Sequence, residues 1–176
     1  LKAGKDVDMI ICAGDISWFG KNLKKILTAF DKLKTPMFII PGNHEDEGLE
    51  EVCEKFKHIT YAHKALYQHN NFSFLFYGLN GFATQDEYAK KFFDTAMQDV
   101  KKDQVKIFVS HGPPANTILD DINGQHVGDK ELLNAIKKYK PQLFICGHIH
   151  ENLGKHQVYK HTLMISPGPS GKVLEI

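Results

Sequence analysis

The chain has 176 residues, 42% of them hydrophobic, enough for one sizeable core and without the composition break that would mark a second, so a single domain over residues 1–176 is expected. Twenty-two basic residues balance 21 acidic ones to a net charge of +1, and their scatter excludes a basic stripe for nucleic acid or an anionic membrane. Every basic residue is a lysine, which also excludes a phosphate site built on the bidentate fork of arginine.

Cys12, Cys53 and Cys146 are odd in number, widely spaced and set in apolar runs, the pattern of buried reduced thiols in a cytoplasmic protein. No apolar run approaches the ~20 residues of a membrane span, and no charged-then-apolar leader opens the chain, so a soluble, unexported protein is expected.

The first residues, from Leu1, read as the tail of a helix running into a strand. Met9 to Cys12 form a short apolar run suited to a strand buried on both faces, and Asp15 stands just past its end. Leu23, Ile26, Leu27, Phe30 and Leu33 recur at helical spacing over 22–33, with Pro36 beyond. Met37 to Ile40 repeat the buried-strand pattern, stopped by Pro41 and Gly42 ahead of Asn43 and His44, which completes a βαβ unit.

Leu49, Val52, Cys53 and Phe56 predict a short helix, and the runs 65–69 and 72–77 around Asn70 and Asn71 predict a hairpin with Phe72, Phe74 and Phe76 on one face. Tyr88, Phe92, Ala96 and Val100 stripe a third helix, followed by the apolar run 105–109 and then His111. Residues 115–128 show no period and predict a long loop beside a site. Asp129 is placed to cap a helix carrying Leu132, Leu133, Ile136 and Tyr139, after which the run 143–146 leads into His148 and His150. Short strands are expected near Val158, over 162–165 and over 173–176.

Loops that leave the carboxyl ends of parallel strands converge on one side of the sheet. Four predicted strands here end in Asp15, Asn43, His111 and the pair His148 and His150. Each alone is an ordinary turn residue, cap or loop histidine. Together they offer carboxylate, amide oxygen and imidazole, a mixed set suited to Mn, Fe, Ni, Co or Zn and not to calcium.

The groups Gly14-Asp15, Gly42-Asn43-His44-Glu45, His111-Gly112 and Gly147-His148-Ile149-His150 stand in the order and contexts of the calcineurin-like metallophosphoesterases, which the chain resembles from Asp8 to its carboxyl end. The resemblance implies a four-layer αββα sandwich with two mixed β-sheets. It implies two divalent transition-metal ions, manganese among them, with Asp15 bridging, His150 on the first and Asn43, His111 and His148 on the second. It further implies hydrolysis of a phosphate ester by a metal-bridging hydroxide, with His44 as general acid. The family's front strand, ending in Asp-x-His, is expected upstream of Leu1.

Gly14-Asp15 continues as Ile16-Ser17-Trp18 in place of the Asp-Arg-Gly of the protein phosphatases. With Gly-Pro-Pro after His111, that favours a small phosphodiesterase acting on a small phosphate ester, a nucleotide among the candidates. The contrasting reading is a protein-binding scaffold on the same fold with little or no activity. Glu45 and Asp46 read as solvated caps or as groups orienting ligands, and His126 as a structural or substrate-contacting loop histidine. Trp18 and Phe19 either wall a pocket and stack on an aromatic leaving group or pack into the core.

Overall fold

A computed structural model of the chain describes residues 6–45, 48–81 and 83–176. The helix tail expected at the first residues lies outside them, as does Asp46. Strands β1 (Ile10–Cys12), β2 (Met37–Ile39) and β3 (Ile59–Tyr61) make a sheet of that order whose ladders are both parallel. Parallel neighbours need crossover connections, and the helices α1 (Leu23–Asp31) and α2 (Leu49–Cys53) supply them. β3 escapes a sequence reading because three residues between histidine-bearing turns show no period.

The second sheet has six strands: β4 (Ala65–His69), β5 (Phe72–Tyr77), β6 (Val105–Ser110), β9 (Leu143–Ile145), β10 (His156–Tyr159) and β11 (Thr162–Ile165). Their order is β10-β11-β9-β6-β5-β4, with four parallel strands in the middle and an antiparallel strand at each edge. Helices α3 (Glu87–Ala96) and α4 (Lys130–Tyr139) cross over from β5 to β6 and from β6 to β9.

Period-2 alternation sorts the side chains into layers. Phe74 and Phe76 of β5, Ile107 and Val109 of β6, and Leu143 and Ile145 of β9 face Phe38 and Ile40 across the gap between the sheets. Their neighbours Leu75, Phe108 and Phe144 point the other way, into a core shared with Phe93 of α3 and Leu132 and Ile136 of α4. Met37 and Ile39 of β2 pack with Leu27 of α1 and with Leu49 and Cys53 of α2. Three cores therefore separate four layers, helices, sheet, sheet, helices: the αββα sandwich. The six-stranded sheet is mixed, whereas the three-stranded one is parallel over the described residues.

Three elements differ from the sequence expectation. In α3 the buried stripe is Ala89, Phe93 and Ala96, while Tyr88 is 74% exposed. The stripe is turned by one residue because Asp86 accepts from the backbone N–H groups of Tyr88 and Ala89 and from the Tyr77 hydroxyl, which fixes the helix start. The segment 115–128 is an ordered loop with a small hairpin, β7 (Asp121–Ile122) and β8 (Gln125–His126). Asp120, fully buried, accepts there from the backbone N–H groups of Asn116, Thr117 and Gly128. Residues 173–176 form no strand. No helix among the described residues is long and apolar enough to cross a membrane.

Candidate metal centre

Asp15 follows β1, Asn43 follows β2, His111 follows β6 directly, and His148 follows β9. Two of these strands belong to each sheet, so the residues meet over the seam between the sheets and not at the edge of one. A backbone hydrogen bond crosses that seam, Leu79 N–H donating to the Pro41 carbonyl at 2.9 Å, while Gly147 N–H donates to the His111 carbonyl at 2.9 Å and ties together the two loops of the six-stranded sheet.

At the centre, Asn43 Oδ1 lies 2.8 Å from His111 Nε2 and 2.8 Å from His148 Nδ1. Asp15 Oδ2 stands 3.3 Å from the same His111 Nε2. Asp15, His111 and His148 offer atoms all within 4.8 Å of one another. His111 is fully buried, and its Nδ1 lies 2.7 Å from the Ala13 carbonyl oxygen. A carbonyl only accepts, so Nδ1 carries a hydrogen toward Ala13, and Nε2 is the ring nitrogen that faces Asn43 and Asp15. Electron-pair donors from nitrogen, amide and carboxylate thus converge on one point, an arrangement that a divalent transition metal satisfies.

The electrostatics agree with that donor set. Burial, reinforced by the charge of His111, holds His148 down at about 4, so its imidazole is neutral and available as a ligand. Burial resists ionisation of Asp15, but the hydrogen bond from His111 and the N–H of His44 outweigh it and keep the carboxyl below the usual range. Burial pushes the thiol of Cys12 up to about 12 and that of Cys53 to about 11, and all three cysteines are free thiols. No thiolate competes for an ion here.

The backbone is bent to make this convergence. Asp15 and His148 both sit in the left-handed region, at φ 54° and 69°, which costs a residue with a side chain ~1–3 kcal/mol and persists only where surrounding contacts over-determine it. Gly14, at φ 88°, admits the close approach: a Cβ there would stand 2.6 Å from both the Gly42 nitrogen and His111 Nδ1.

His44 adjoins the cluster. Its backbone N–H donates to Asp15 Oδ1 at 2.9 Å, while its ring Nδ1 is 3.9 Å from Asp15 Oδ2, beyond hydrogen-bond reach. His150 opens the short 3-10 helix His150–Asn152 with its side chain exposed, and it stands outside the Asp15, His111 and His148 group. His126 is held by its Nδ1, 2.9 Å from the buried carboxylate of Asp120, which gives it a structural part in the loop.

Glu45, left open in the sequence between a solvated cap and a group that orients ligands, takes the second part. One of its carboxylate oxygens accepts from Asp15 N–H and from Gly42 N–H, each at 2.7 Å, and the other accepts from Ser17 N–H at 3.2 Å. Glu45 therefore locks the loop after β1 to the loop after β2 and sets the unusual backbone of Asp15. Its neighbours in sequence look like a solvated helix entry. Only the parallel pairing of β1 with β2 brings the donor N–H groups to it.

The family model of the calcineurin-like phosphoesterases matches residues 1–152. The chain belongs to this family, and the class of chemistry that membership implies is phosphoester hydrolysis. It is 28% identical over 175 residues to an uncharacterized protein of Methanocaldococcus jannaschii, covering 92% of this chain and 78% of the relative. It is 27% identical over 169 residues to a probable cyclic nucleotide phosphodiesterase of Coxiella burnetii, covering 90% and 66%. A probable glycerophosphodiester phosphodiesterase of Arcobacter nitrofigilis is 24% identical over 155 residues, covering 81% and 56%. In fold, a crystal structure of a Thermus thermophilus protein superposes with a TM-score of 0.69 at 18% identity, covering 95% of this chain and 80% of that one.

Proposed function

We propose that the protein is a dinuclear-metal-dependent phosphodiesterase, with Asp15, Asn43, His111, His148 and His150 holding two divalent transition-metal ions. The observation that carries this reading is the convergence of Asp15, Asn43, His111 and His148 from four strand ends, in a chain of the calcineurin-like phosphoesterase family. When bound, such ions supply Lewis acidity, lowering the pKa of water and neutralising phosphate charge. Relatives named as phosphodiesterases favour a diester over a monoester as substrate.

The chain's own residues do the rest. Asp15 places its carboxylate at the junction of the ligand loops, and Glu45 fixes the backbone that aims it. Asn43 holds its oxygen between His111 and His148 and so keeps both rings in register. His44 is the general acid: with Nδ1 turned toward Asp15, its Nε2 is the nitrogen left to protonate the leaving-group oxygen.

Metal analysis after incubation with Mn, paired with turnover of bis(p-nitrophenyl) phosphate, tests the reading. We expect bound metal and turnover, with Asp15→Asn reducing both to background. His44→Ala should keep its metal and lose ~100-fold or more on esters with poor leaving groups, and much less on nitrophenyl esters. Equal losses on the two ester classes would remove His44 as the acid. A wild-type protein that binds little metal and stays inert would instead support the scaffold reading.

A further inference from the structure

Three and four residues after Asp15, Trp18 and Phe19 are 62% and 57% exposed. Two adjacent large aromatic side chains kept this open are not packing a core, and they place a concentrated apolar surface beside the site. Both rings touch His44: Trp18 meets it edge-on with centroids 4.3 Å apart, and Phe19 stacks on it at 5.1 Å and 25°. The two aromatics stand perpendicular to each other, 5.4 Å apart at 88°.

The loop is built to hold them there. Phe19 sits at φ 47°, a strained conformation for a bulky side chain, and its N–H donates to the His44 carbonyl at 3.1 Å. Ser17 is tied at both ends, its N–H donating to Glu45 and its hydroxyl accepting from Gly20 N–H at 3.2 Å. Trp18 also walls a hollow of about 470 Å³ together with Ile16, Lys21, Lys25 and Phe30.

We infer that Trp18 and Phe19 form a stacking subsite for a flat aromatic ring in the leaving group of the ester, and that the ligand class it fits is a nucleobase. The inference rests on the assignment of His44 to the leaving-group side, because rings packed against the acid contact whatever the acid protonates. A nucleobase presents a π-face to Trp18 or Phe19, and Lys21 and Lys25 on the rim of the hollow offer donors to its polar edge or to a further phosphate.

Trp18 is the only tryptophan in the chain, so its fluorescence reports this place alone. In the Mn-loaded protein, adenosine 5′-monophosphate should quench that emission saturably. By calorimetry it should bind about ten-fold more tightly than ribose 5-phosphate, which carries the same phosphate without the base. Trp18→Ala should erase the difference and Trp18→Phe should retain most of it. Equal affinities, a base preference that survives Trp18→Ala, or binding of neither probe would overturn the subsite, including in favour of a protein partner on the same patch. Turnover of bis(p-nitrophenyl) phosphate by the same preparations keeps the outcomes apart. An active enzyme without base preference lacks the subsite alone, whereas an inert, metal-free one lacks the function it was built on.

Discussion

Gly81 lies beneath the candidate ligands so closely that a Cβ on it would stand 2.7 Å from His148 Cε1 and 3.0 Å from Asn43 Oδ1. Neither neighbour can yield without leaving its donor position, since Asn43 is held between two imidazoles. Gly81→Ala is therefore expected to fold and to lose at least about 10-fold in metal affinity, the scale on which groups that orient ligands act. Metal titration of the variant, with its thermal midpoint as a folding control, checks this, and undiminished affinity would show that the ligand set lies elsewhere. The glycine is silent in the sequence because it belongs to no ligand motif. Asp15, Asn43, His111 and His148, by contrast, were legible as strand-end residues. What the sequence could not supply was their mutual placement, nor the contribution of Glu45, which works through backbone N–H groups thirty residues away in the chain.

Among the elements, α3 and α4 share one anchoring carboxylate. Asp94 of α3 accepts from the Tyr139 hydroxyl at 2.5 Å, from Lys138 Nζ at 3.0 Å and from Lys90 Nζ at 3.1 Å. The Tyr139 hydroxyl first, and the two lysines after it, hold the Asp94 carboxyl at about 2. A lowered carboxyl contributes stability that is present above the unfolded value near 4 and is lost as pH falls toward 2. The side chain is 31% exposed, so solvent screens the ion pairs and Asp94→Asn should cost under about 1 kcal/mol at pH 7. Urea unfolding at pH 7 and at pH 2.5 checks the sign: the gap between variant and wild type should narrow at the lower pH. Helices α1, α3 and α4 were legible within a few residues because their apolar spacing repeats over two or more turns. The facing of α3 was not, because Asp86 and not the stripe decides where the helix begins.

At the scale of the whole molecule, the order of strands and helices was readable as a repeated strand–helix pattern, but the division into two sheets came from the family resemblance and not from that pattern. Alternation shows that a strand has two buried faces without saying which layer lies against each. The link between the sheets carries His63, whose Nδ1 accepts from Gly78 N–H at 3.1 Å. Burial first, and the neighbouring charge of Lys64 second, hold this imidazole at about 4. Below its ordinary value of 6.5 the unfolded chain binds a proton that the folded chain refuses. Stability is thus complete above about pH 6.5 and lost as pH falls toward 4. In the metal-free protein the urea midpoint should drop across that window, and His63→Gln should flatten the drop. An unchanged slope in the variant would assign the effect to His148, which burial lowers in the same direction.

The seam on which the candidate ligands meet is also a boundary along the chain. All of the three-stranded sheet precedes Ala62, and all of the six-stranded sheet follows Lys64. Asp15 and Asn43 come from the first part, His111 and His148 from the second. An ion seated there would act as a rivet between two separately wound lengths of polypeptide. Its affinity is then a measure of how firmly the two halves are clasped, and anything that pries the sheets apart becomes a means of releasing it.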